Sequence, residues 1–115
     1  MTQIRVLVVA YDMALRQSLE FALAADGYAV CVYPDIGTVP VAKASTCLVL
    51  DETGLAGERD EIAAFCARFD NVVVMADRPD GWVAALAQGT VAKPLVGGAV
   101  AAAVRSVLSI TAANT

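Results

Sequence analysis

The chain contains no histidine and no cluster of basic residues, and these two absences remove several classes of function. Without histidine there is no Cys–His nucleophile and no zinc site built on imidazole ligands. Eight basic residues are scattered among twelve acidic ones, so the net charge is −4. Nucleic-acid binding requires a basic patch that neutralises phosphates. We therefore expect no nucleic-acid partner.

Cysteines are few and far apart, at Cys31, Cys47 and Cys66, and each lies in an apolar segment. No C-x-x-C motif occurs, which argues against a structural zinc site. Free cysteines in such segments behave as small apolar side chains. Unpaired thiols of this kind suit a reducing compartment, and we predict a cytoplasmic protein.

Long apolar runs are also lacking. The most apolar late stretch, residues 95–104, is interrupted by Gly97 and Gly98. It is far shorter than the ~20 residues that cross a bilayer. The first twelve residues, MTQIRVLVVAYD, lack the apolar core and cleavage site of a signal peptide. We expect no membrane association.

What the chain does have is apolar content, since 58% of its 115 residues are hydrophobic and only 17% are charged. That is enough to bury the core of one domain. We predict a single domain over residues 1–110 and a C-terminal tail over 111–115.

Short apolar runs alternate with helical patterns along the whole chain. The predicted strands are 4–9, 28–33, 46–50, 72–75 and 90–92. The predicted helices are 12–25, a short one within 35–44, 58–69, 79–88 and 95–110. Asp12 is expected to cap the first helix, which Gly27 then ends. This alternation is typical of an α/β fold with a doubly wound parallel sheet. Its functional site should lie at the carboxyl ends of the strands.

The residues at those strand ends resemble the receiver domain of response regulators, in its CheY-like and FixJ-like forms. VLVVAYDMALRQSLEFALAADGYAV is similar to the opening strand and helix, CLVLD to the strand that ends at the phospho-acceptor, and AKPL to the Lys-Pro signature. The resemblance implies a flavodoxin-like, three-layer αβα fold with strand order 2-1-3-4-5. It also implies that Asp51 accepts a phosphoryl group, that Lys93 contacts it, and that the partner is a histidine kinase or an output protein.

Four positions depart from the family's pattern. The two adjacent acids that hold a divalent cation are replaced by Ala10 and Tyr11. Ala76 stands where the family has Thr or Ser, and Thr90 stands where it has an aromatic switch residue. A phenol at Tyr11 is expected to pack into the space that the acids leave.

A divalent cation would have few ligands. Asp51 and Asp12 are the only carboxylates that could hold Mg²⁺, and Mg²⁺ prefers near-octahedral oxygen coordination. We expect weak binding at best. Asp12 has the alternative role of a plain N-cap, and an Asp51–Lys93 ion pair could be structural, phosphorylated or part of a repurposed ligand site.

Three functions follow from these observations. The first is an atypical receiver, not an enzyme, that acts mainly as a protein-interaction module. We expect a homodimer through the face formed by the fourth helix, fifth strand and fifth helix. The second is a conventional receiver phosphorylated on Asp51. The third, a flavin-binding protein, is disfavoured because AYDMAL offers no phosphate cradle and no G-x-G-x-x-G occurs. Trp82 is either a core anchor or part of a partner-binding face.

Overall fold

Five parallel strands form one sheet in the computed structural model. It describes residues 4–40, 47–78, 81–93 and 98–113, with the backbone alone for 110–113. The strands are β1 (Arg5–Val9), β2 (Ala29–Tyr33), β3 (Cys47–Asp51), β4 (Asn71–Ala76) and β5 (Gly89–Ala92). Their order in the sheet is β2-β1-β3-β4-β5, and every neighbouring pair is parallel. The predicted doubly wound sheet and its strand order are confirmed.

Three α-helices cover the two faces of this sheet in the described part of the chain. They are α1 (Met13–Ala25), α2 (Arg59–Cys66) and α3 (Ala99–Ala113). Leu23 of α1 and Val104 of α3 share one core cluster, so these helices lie on the same face. Ile62 and Phe65 of α2 belong to the cluster on the other face. The layers αβα are therefore confirmed, and β3 and β4 are buried along their whole length, as doubly covered parallel strands are.

Both predicted ends of α1 are confirmed. The Asp12 carboxylate accepts a hydrogen bond from the backbone N–H of Ala14 at 3.0 Å, which satisfies one of the free donors of the first turn. At the other end, Gly27 follows the C-cap with φ +95°, a conformation that side-chain-bearing residues rarely adopt. α1 is thereby fixed directly behind the end of β1.

The prediction of a fourth α-helix over 79–88 is wrong for the described residues 81–88. They form turns and one short 3-10 helix, Ala84–Leu86, while residues 79 and 80 lie outside the described part. The physical reason is the shortness of the connection. Residues 77–88 must leave the carboxyl end of β4 and bring Gly89 back beside Val73. The connection has twelve residues, 77–88, which is at the lower limit of about 10–12 for a parallel crossover that includes its helix. Turns at both ends use part of this length, so a ten-residue helix over 79–88 does not fit.

Smaller differences concern element ends. β5 begins at Gly89, one residue before the prediction, and a Cβ there would lie 3.0 Å from Val107 Cγ1 of α3. α2 ends at Cys66 instead of residue 69. α3 continues to Ala113, into the predicted tail, while its predicted start at residue 95 lies outside the described residues. Within 35–44, the described residues contain a 3-10 helix, Ile36–Thr38; residues 41–44 are not described. None of the described helices is long and apolar enough to span a membrane.

Candidate functional site

Asp51 and Lys93, which are 42 positions apart in the numbering, meet at the carboxyl edge of the sheet. Asp51 is the last residue of β3, and Lys93 directly follows β5. The backbone N–H of Lys93 donates to the carbonyl oxygen of Ala76 at 3.0 Å, which holds the lysine at the end of β4. From there its Nζ reaches across β4 to within 2.6 Å of Asp51 Oδ1. Asp51 is only 3% exposed, so the pair lies in a largely water-excluded position.

Thr53 completes this contact, and the sequence analysis did not identify it. Its backbone N–H donates to Asp51 Oδ1 at 3.1 Å, and its hydroxyl oxygen accepts a hydrogen bond from Lys93 Nζ at 2.8 Å. A threonine two residues after an aspartate is a recognisable signal, because Asp side chains often accept from the backbone two residues on. Asp51, Thr53 and Lys93 therefore form a closed triangle, in which Oδ1 takes both contacts to the carboxylate.

Ala10 and Tyr11 occupy the end of β1 next to Asp51. Val9 pairs with Leu50 in the sheet, so Ala10 follows on the neighbouring strand, where it is 1% exposed. Tyr11 is 70% exposed, and the expectation that its phenol packs into the site is wrong. The backbone turns its side chain outward over the loop that follows β3.

Gly54, in the loop after β3, leaves room for the Tyr11 side chain. A Cβ on Gly54 would lie 2.8 Å from Tyr11 Cβ, closer than real Cβ contacts allow, and 3.1 Å from Tyr11 Cγ. Gly54 also has φ +77°, in the left-handed region where glycine has no steric penalty. The loops after β1 and β3 therefore touch each other beside the Asp51 carboxylate.

Arg16 is a second residue that sequence reasoning missed. Its Nη1 donates to the carbonyl oxygens of Ala10 and Tyr11, at 2.8 Å each. The side chain thus folds back from α1 onto the loop that precedes the helix. An arginine in the second turn of an amphipathic helix is commonplace, so the sequence carried no signal for this contact.

The residues present do not fit a magnesium site. Asp12 is exposed and its carboxylate caps α1, while Asp51 Oδ1 is engaged by Lys93 and Thr53. No group of three or more Asp, Glu, His or Cys side chains that could hold a metal ion occurs among the described residues. Mg²⁺ requires about six oxygen ligands in near-octahedral geometry. One buried carboxylate that already has two partners supplies too few oxygen ligands for such a coordination shell.

The two other positions that depart from the receiver pattern, and Trp82, add little polar chemistry to the site. Ala76 is fully buried at the end of β4 and offers the site only its backbone, whose carbonyl accepts from Lys93. Thr90 of β5 is exposed. Trp82 is half-buried: it packs against the core cluster beneath α2, and the Arg59 guanidinium lies 4.8 Å from its ring centroid. This packing supports the interpretation of Trp82 as a core anchor, whereas its place in a partner-binding face stays a prediction.

The cysteines stand apart from this site. Burial raises the pKa of the Cys47 thiol to about 12 and that of Cys66 to about 11, because a thiolate is poorly solvated in the core. Both are unreactive as buried thiols. Cys31, on β2, is half-buried.

Several solved structures that share this fold are receiver domains or response regulators. The CheY-like receiver domain protein of Methanospirillum hungatei JF-1 superposes with a TM-score of 0.82 at 13% sequence identity, covering 99% of this chain and 100% of that one. A Burkholderia pseudomallei response regulator, solved with a phosphorylated aspartic acid, calcium ion and citrate, has a TM-score of 0.72 at 20% identity, covering 97% of this chain and 72% of that one.

The non-phosphorylated HemR receiver domain of Leptospira biflexa is similar as well, with a TM-score of 0.76 at 19% identity over 93% of this chain and 95% of that one. No protein-family model matches the chain, and no curated protein matches it in sequence. At these identities the likeness establishes the fold, which is the CheY-like, flavodoxin-like fold.

Proposed function

We propose that the chain is an atypical receiver domain of two-component signal transduction. It is a cytoplasmic, non-enzymatic module that binds protein partners, and phosphorylation of Asp51 is weak or absent. The observation that carries the proposal is the closed triangle of Asp51, Thr53 and Lys93, together with the lack, among the described residues, of any group of three or more side chains that could hold a metal ion.

The electrostatics of phosphoryl transfer support this proposal. Transfer to a carboxylate brings two anionic groups together, and a divalent cation bridging both normally offsets their repulsion. In this chain the only cation within 4.0 Å of the Asp51 carboxylate, among the described residues, is the Lys93 ammonium. It neutralises the carboxylate itself, so little positive charge is left for an incoming phosphoryl group.

A conventional receiver is the second candidate, and one observation favours it. Asp51 lies at the carboxyl end of a central strand, where ligands bind in doubly wound folds, with a lysine 2.6 Å away. The Burkholderia pseudomallei regulator of the same fold carries a phosphorylated aspartic acid. In that function Lys93 would leave Asp51 and contact the phosphoryl oxygens.

Intact-mass spectrometry separates the two functions. Wild type and Asp51→Asn are incubated with acetyl phosphate and MgCl₂, with Asp35→Asn as a matched control for an aspartate outside the site. We expect at most a minor phosphoryl adduct on wild type and Asp35→Asn, and none on Asp51→Asn. Phosphorylation of most of the wild-type and Asp35→Asn protein that is lost in Asp51→Asn would establish the conventional function and contradict the atypical one.

Protein binding is supported by exposed apolar side chains. Among the described residues, four large ones are exposed: Ile4, Tyr11, Met13 and Phe21. The last three follow β1 or lie on α1, and Phe21 is 80% exposed. These three residues lie close together in the sequence, and exposed apolar residues that form a contiguous patch are typical of interaction sites. A histidine kinase or an output protein is the class of partner that the proposed function requires.

The surface on which we expect a homodimer lacks one of its predicted α-helices in the described part of the chain. In the described part its fourth helix is only the 3-10 helix Ala84–Leu86, and the outward positions of α3 include Ala102, Arg105 and Ser106. Sedimentation velocity of wild type, Ala102→Arg and Phe21→Lys tests it. A dimer lost only in Ala102→Arg supports the face of β5 and α3. A dimer lost only in Phe21→Lys assigns the interface to α1, and a monomeric wild type rejects the homodimer.

A further inference from the structure

Strand β2 forms one edge of the sheet, and its side chains do not protect that edge. Among the described strands it pairs with β1 alone. Its residues, AVCVY, include no charge and no proline, and all of them are half-buried. Natural edge strands usually carry lysine, proline or a bulge, because an unprotected edge offers its free backbone groups to another chain. The β2 edge is therefore suited to pairing with a further strand.

The hydrogen bonds to β1 define which backbone groups of β2 face outward. The N–H of Ala29 donates to the oxygen of Ile4 at 2.9 Å, and the oxygen of Tyr33 accepts from the N–H of Ala10 at 3.0 Å. The backbone groups of successive residues in a strand point alternately to one neighbour and to the other. The backbone of Cys31, midway between these two residues of β2, therefore also faces β1.

The outward groups of β2 belong to Val30 and Val32. Both residues point their N–H and C=O groups away from β1, and no hydrogen bond reaches these groups from the described residues. The valines stand symmetrically on either side of Cys31, the central residue of the strand. This pattern complements a copy of the same strand that runs in the opposite direction, because each partly positive N–H then meets a partly negative carbonyl oxygen.

One antiparallel register satisfies all of these groups at once. With Val30 opposite Val32 of a second copy, the two residues exchange both hydrogen bonds, and the two-fold axis repeats the exchange. A shift by two residues in either direction would bring Tyr28 or Pro34 into the ladder. The N–H of Tyr28 already donates to the oxygen of Leu23 at 3.3 Å, and proline has no N–H. The groups at both ends of β2 therefore select the symmetric register.

Cys31 lies on the two-fold axis of this arrangement. It occupies a non-hydrogen-bonded position, where opposite Cα atoms of an antiparallel pair are about 4.5 Å apart. That distance is within the range of about 4.4–6.8 Å over which two cysteines can form a disulfide. Cys31 is only half-buried, unlike the buried Cys47 and Cys66. Its thiol can therefore report on the pairing directly.

We propose that the β2 edge is a self-association surface, on which two copies of the chain pair in antiparallel fashion through Val30 and Val32 and join their sheets. The contact is short, so the dimer is weak and depends on protein concentration. It lies at the opposite end of the sheet from β5 and is separate from the surface of β5 and α3. This inference goes beyond the proposed function, since it requires neither Asp51 nor its phosphorylation.

Cysteine cross-linking tests both the pairing and its register. The protein is oxidised with diamide, which takes two electrons and two protons from a pair of thiols as the disulfide forms, and linked dimers are mapped by mass spectrometry. Wild type is compared with Ala29→Cys/Cys31→Ala and with Cys31→Ala/Tyr33→Cys. The thiol of each variant lies on the same face of β2 as Cys31 but off the axis. We expect wild type to cross-link at least about tenfold faster than either variant.

An equal mixture of the two variants is the positive control. Position 29 of one copy stands opposite position 33 of the other in this register, so the mixture should form the mixed disulfide faster than either variant alone. Equal rates for wild type and both separate variants would indicate random collision and overturn the proposal. A faster rate in either separate variant than in wild type would also contradict it, because the axis would then not pass through Cys31.

Amide hydrogen exchange covers the case in which the moved cysteines unfold the strand. It uses wild type alone, at low and high protein concentration under reducing conditions. We expect the N–H groups of Val30 and Val32 to exchange at least about threefold more slowly in the concentrated sample. The N–H of Cys31, which faces β1, is the internal control and should not change. Exchange at both valines that is independent of concentration would contradict the pairing.

Ala102→Arg distinguishes this contact from a dimer on the other side of the sheet. Ala102 is exposed on α3, away from β2, so the variant should keep the wild-type rate of cross-linking through Cys31. Loss of the cross-link in Ala102→Arg would assign the dimer to the surface of β5 and α3 and reject an interface at β2.

Discussion

Gln88, the residue before β5, is joined to Val72 of β4 by two hydrogen bonds, one from its backbone and one to its side chain. The Gln88 backbone N–H donates to the carbonyl oxygen of Val72 at 3.0 Å, and Gln88 Oε1 accepts from the N–H of Val72 at 2.7 Å. The side-chain amide thus supplies the acceptor that an earlier residue of β5 would otherwise provide. This pair sets where the short connection after β4 ends and where β5 begins.

Replacing Gln88 with Ala should lower the free energy of unfolding by about 1–3 kcal/mol. Val72 is only 2% exposed, so its backbone N–H would lose its acceptor in a buried position. A buried donor without a partner lowers stability by about this amount. Urea denaturation measures the change. Gln17→Ala, on the exposed side of α1, is the matched control and should shift stability by less than about 0.5 kcal/mol. Equal effects at both positions would show that the Gln88 contact contributes nothing specific.

Lys93→Met should destabilise the protein by about 3 kcal/mol. It leaves the buried Asp51 carboxylate without its cation, and breaking one side of a buried pair is costly. Asp51→Asn/Lys93→Met should recover much of the loss, because no net charge then remains buried. Chemical denaturation of both single variants and the double variant gives the coupling energy. Additive single effects would mean that the two side chains do not interact in solution.

Asp12→Ala should cost about 1 kcal/mol, while Asp12→Asn should be nearly neutral. The Asp12 side chain accepts from Ala14, and asparagine caps helices about as well as aspartate. Helix content by circular dichroism and thermal unfolding report the effect. A comparable loss in both variants would indicate that the negative charge of Asp12, and not its hydrogen bond, matters.

Gly54→Ala should be more destabilising than Gly27→Ala. Both glycines have positive φ, which costs an L-residue roughly 1 kcal/mol. Only at Gly54 would the new methyl group also collide with Tyr11, since nothing lies within 4 Å of a Cβ at Gly27. The difference between the two variants in thermal unfolding therefore isolates the contact between the loops after β1 and β3. Equal destabilisation would show that the two loops do not touch each other in solution.

Stability should fall at alkaline pH in a way that depends on Cys47. Burial raises the pKa of this thiol from 9.0 to about 12 in the folded protein. The unfolded chain therefore loses its thiol proton first, so the contribution to stability is complete below pH 9.0 and is lost as pH rises toward about 12. The slope amounts to at most about 1.4 kcal/mol per pH unit.

The measurement compares the slope of unfolding free energy against pH, from about pH 8 to pH 10.5. Cys47→Ala should flatten the slope, because it removes the buried thiol whose pKa is raised. Native thiol labelling gives an independent check, with Cys31 reacting before Cys47 and Cys66. Labelling of all three at one rate would show that the core opens on the labelling timescale.

The sheet could be predicted because its strands are apolar, short and separated by helical patterns, and that information is local. The alternation of strands and helices predicted that Asp51 and Lys93 both stand at carboxyl ends, and the resemblance to receiver domains implied their pairing. The fourth helix was predicted wrongly because helical composition between Pro79 and Gln88 was weighed without the length that the crossover requires. The roles of Arg16 and Thr53 depend on side-chain direction, which residue spacing alone does not define.

Lys93 ties together three strands, through its backbone to β4, its place after β5 and its ammonium group on β3. This has a consequence for biosynthesis. Domains emerge from the ribosome amino terminus first, so β1, β2, β3 and β4 leave the exit tunnel while Asp51 still lacks its counter-charge. We expect the carboxylate to stay hydrated until Lys93 has emerged, so the carboxyl edge of the nascent sheet should close only after β5 has formed.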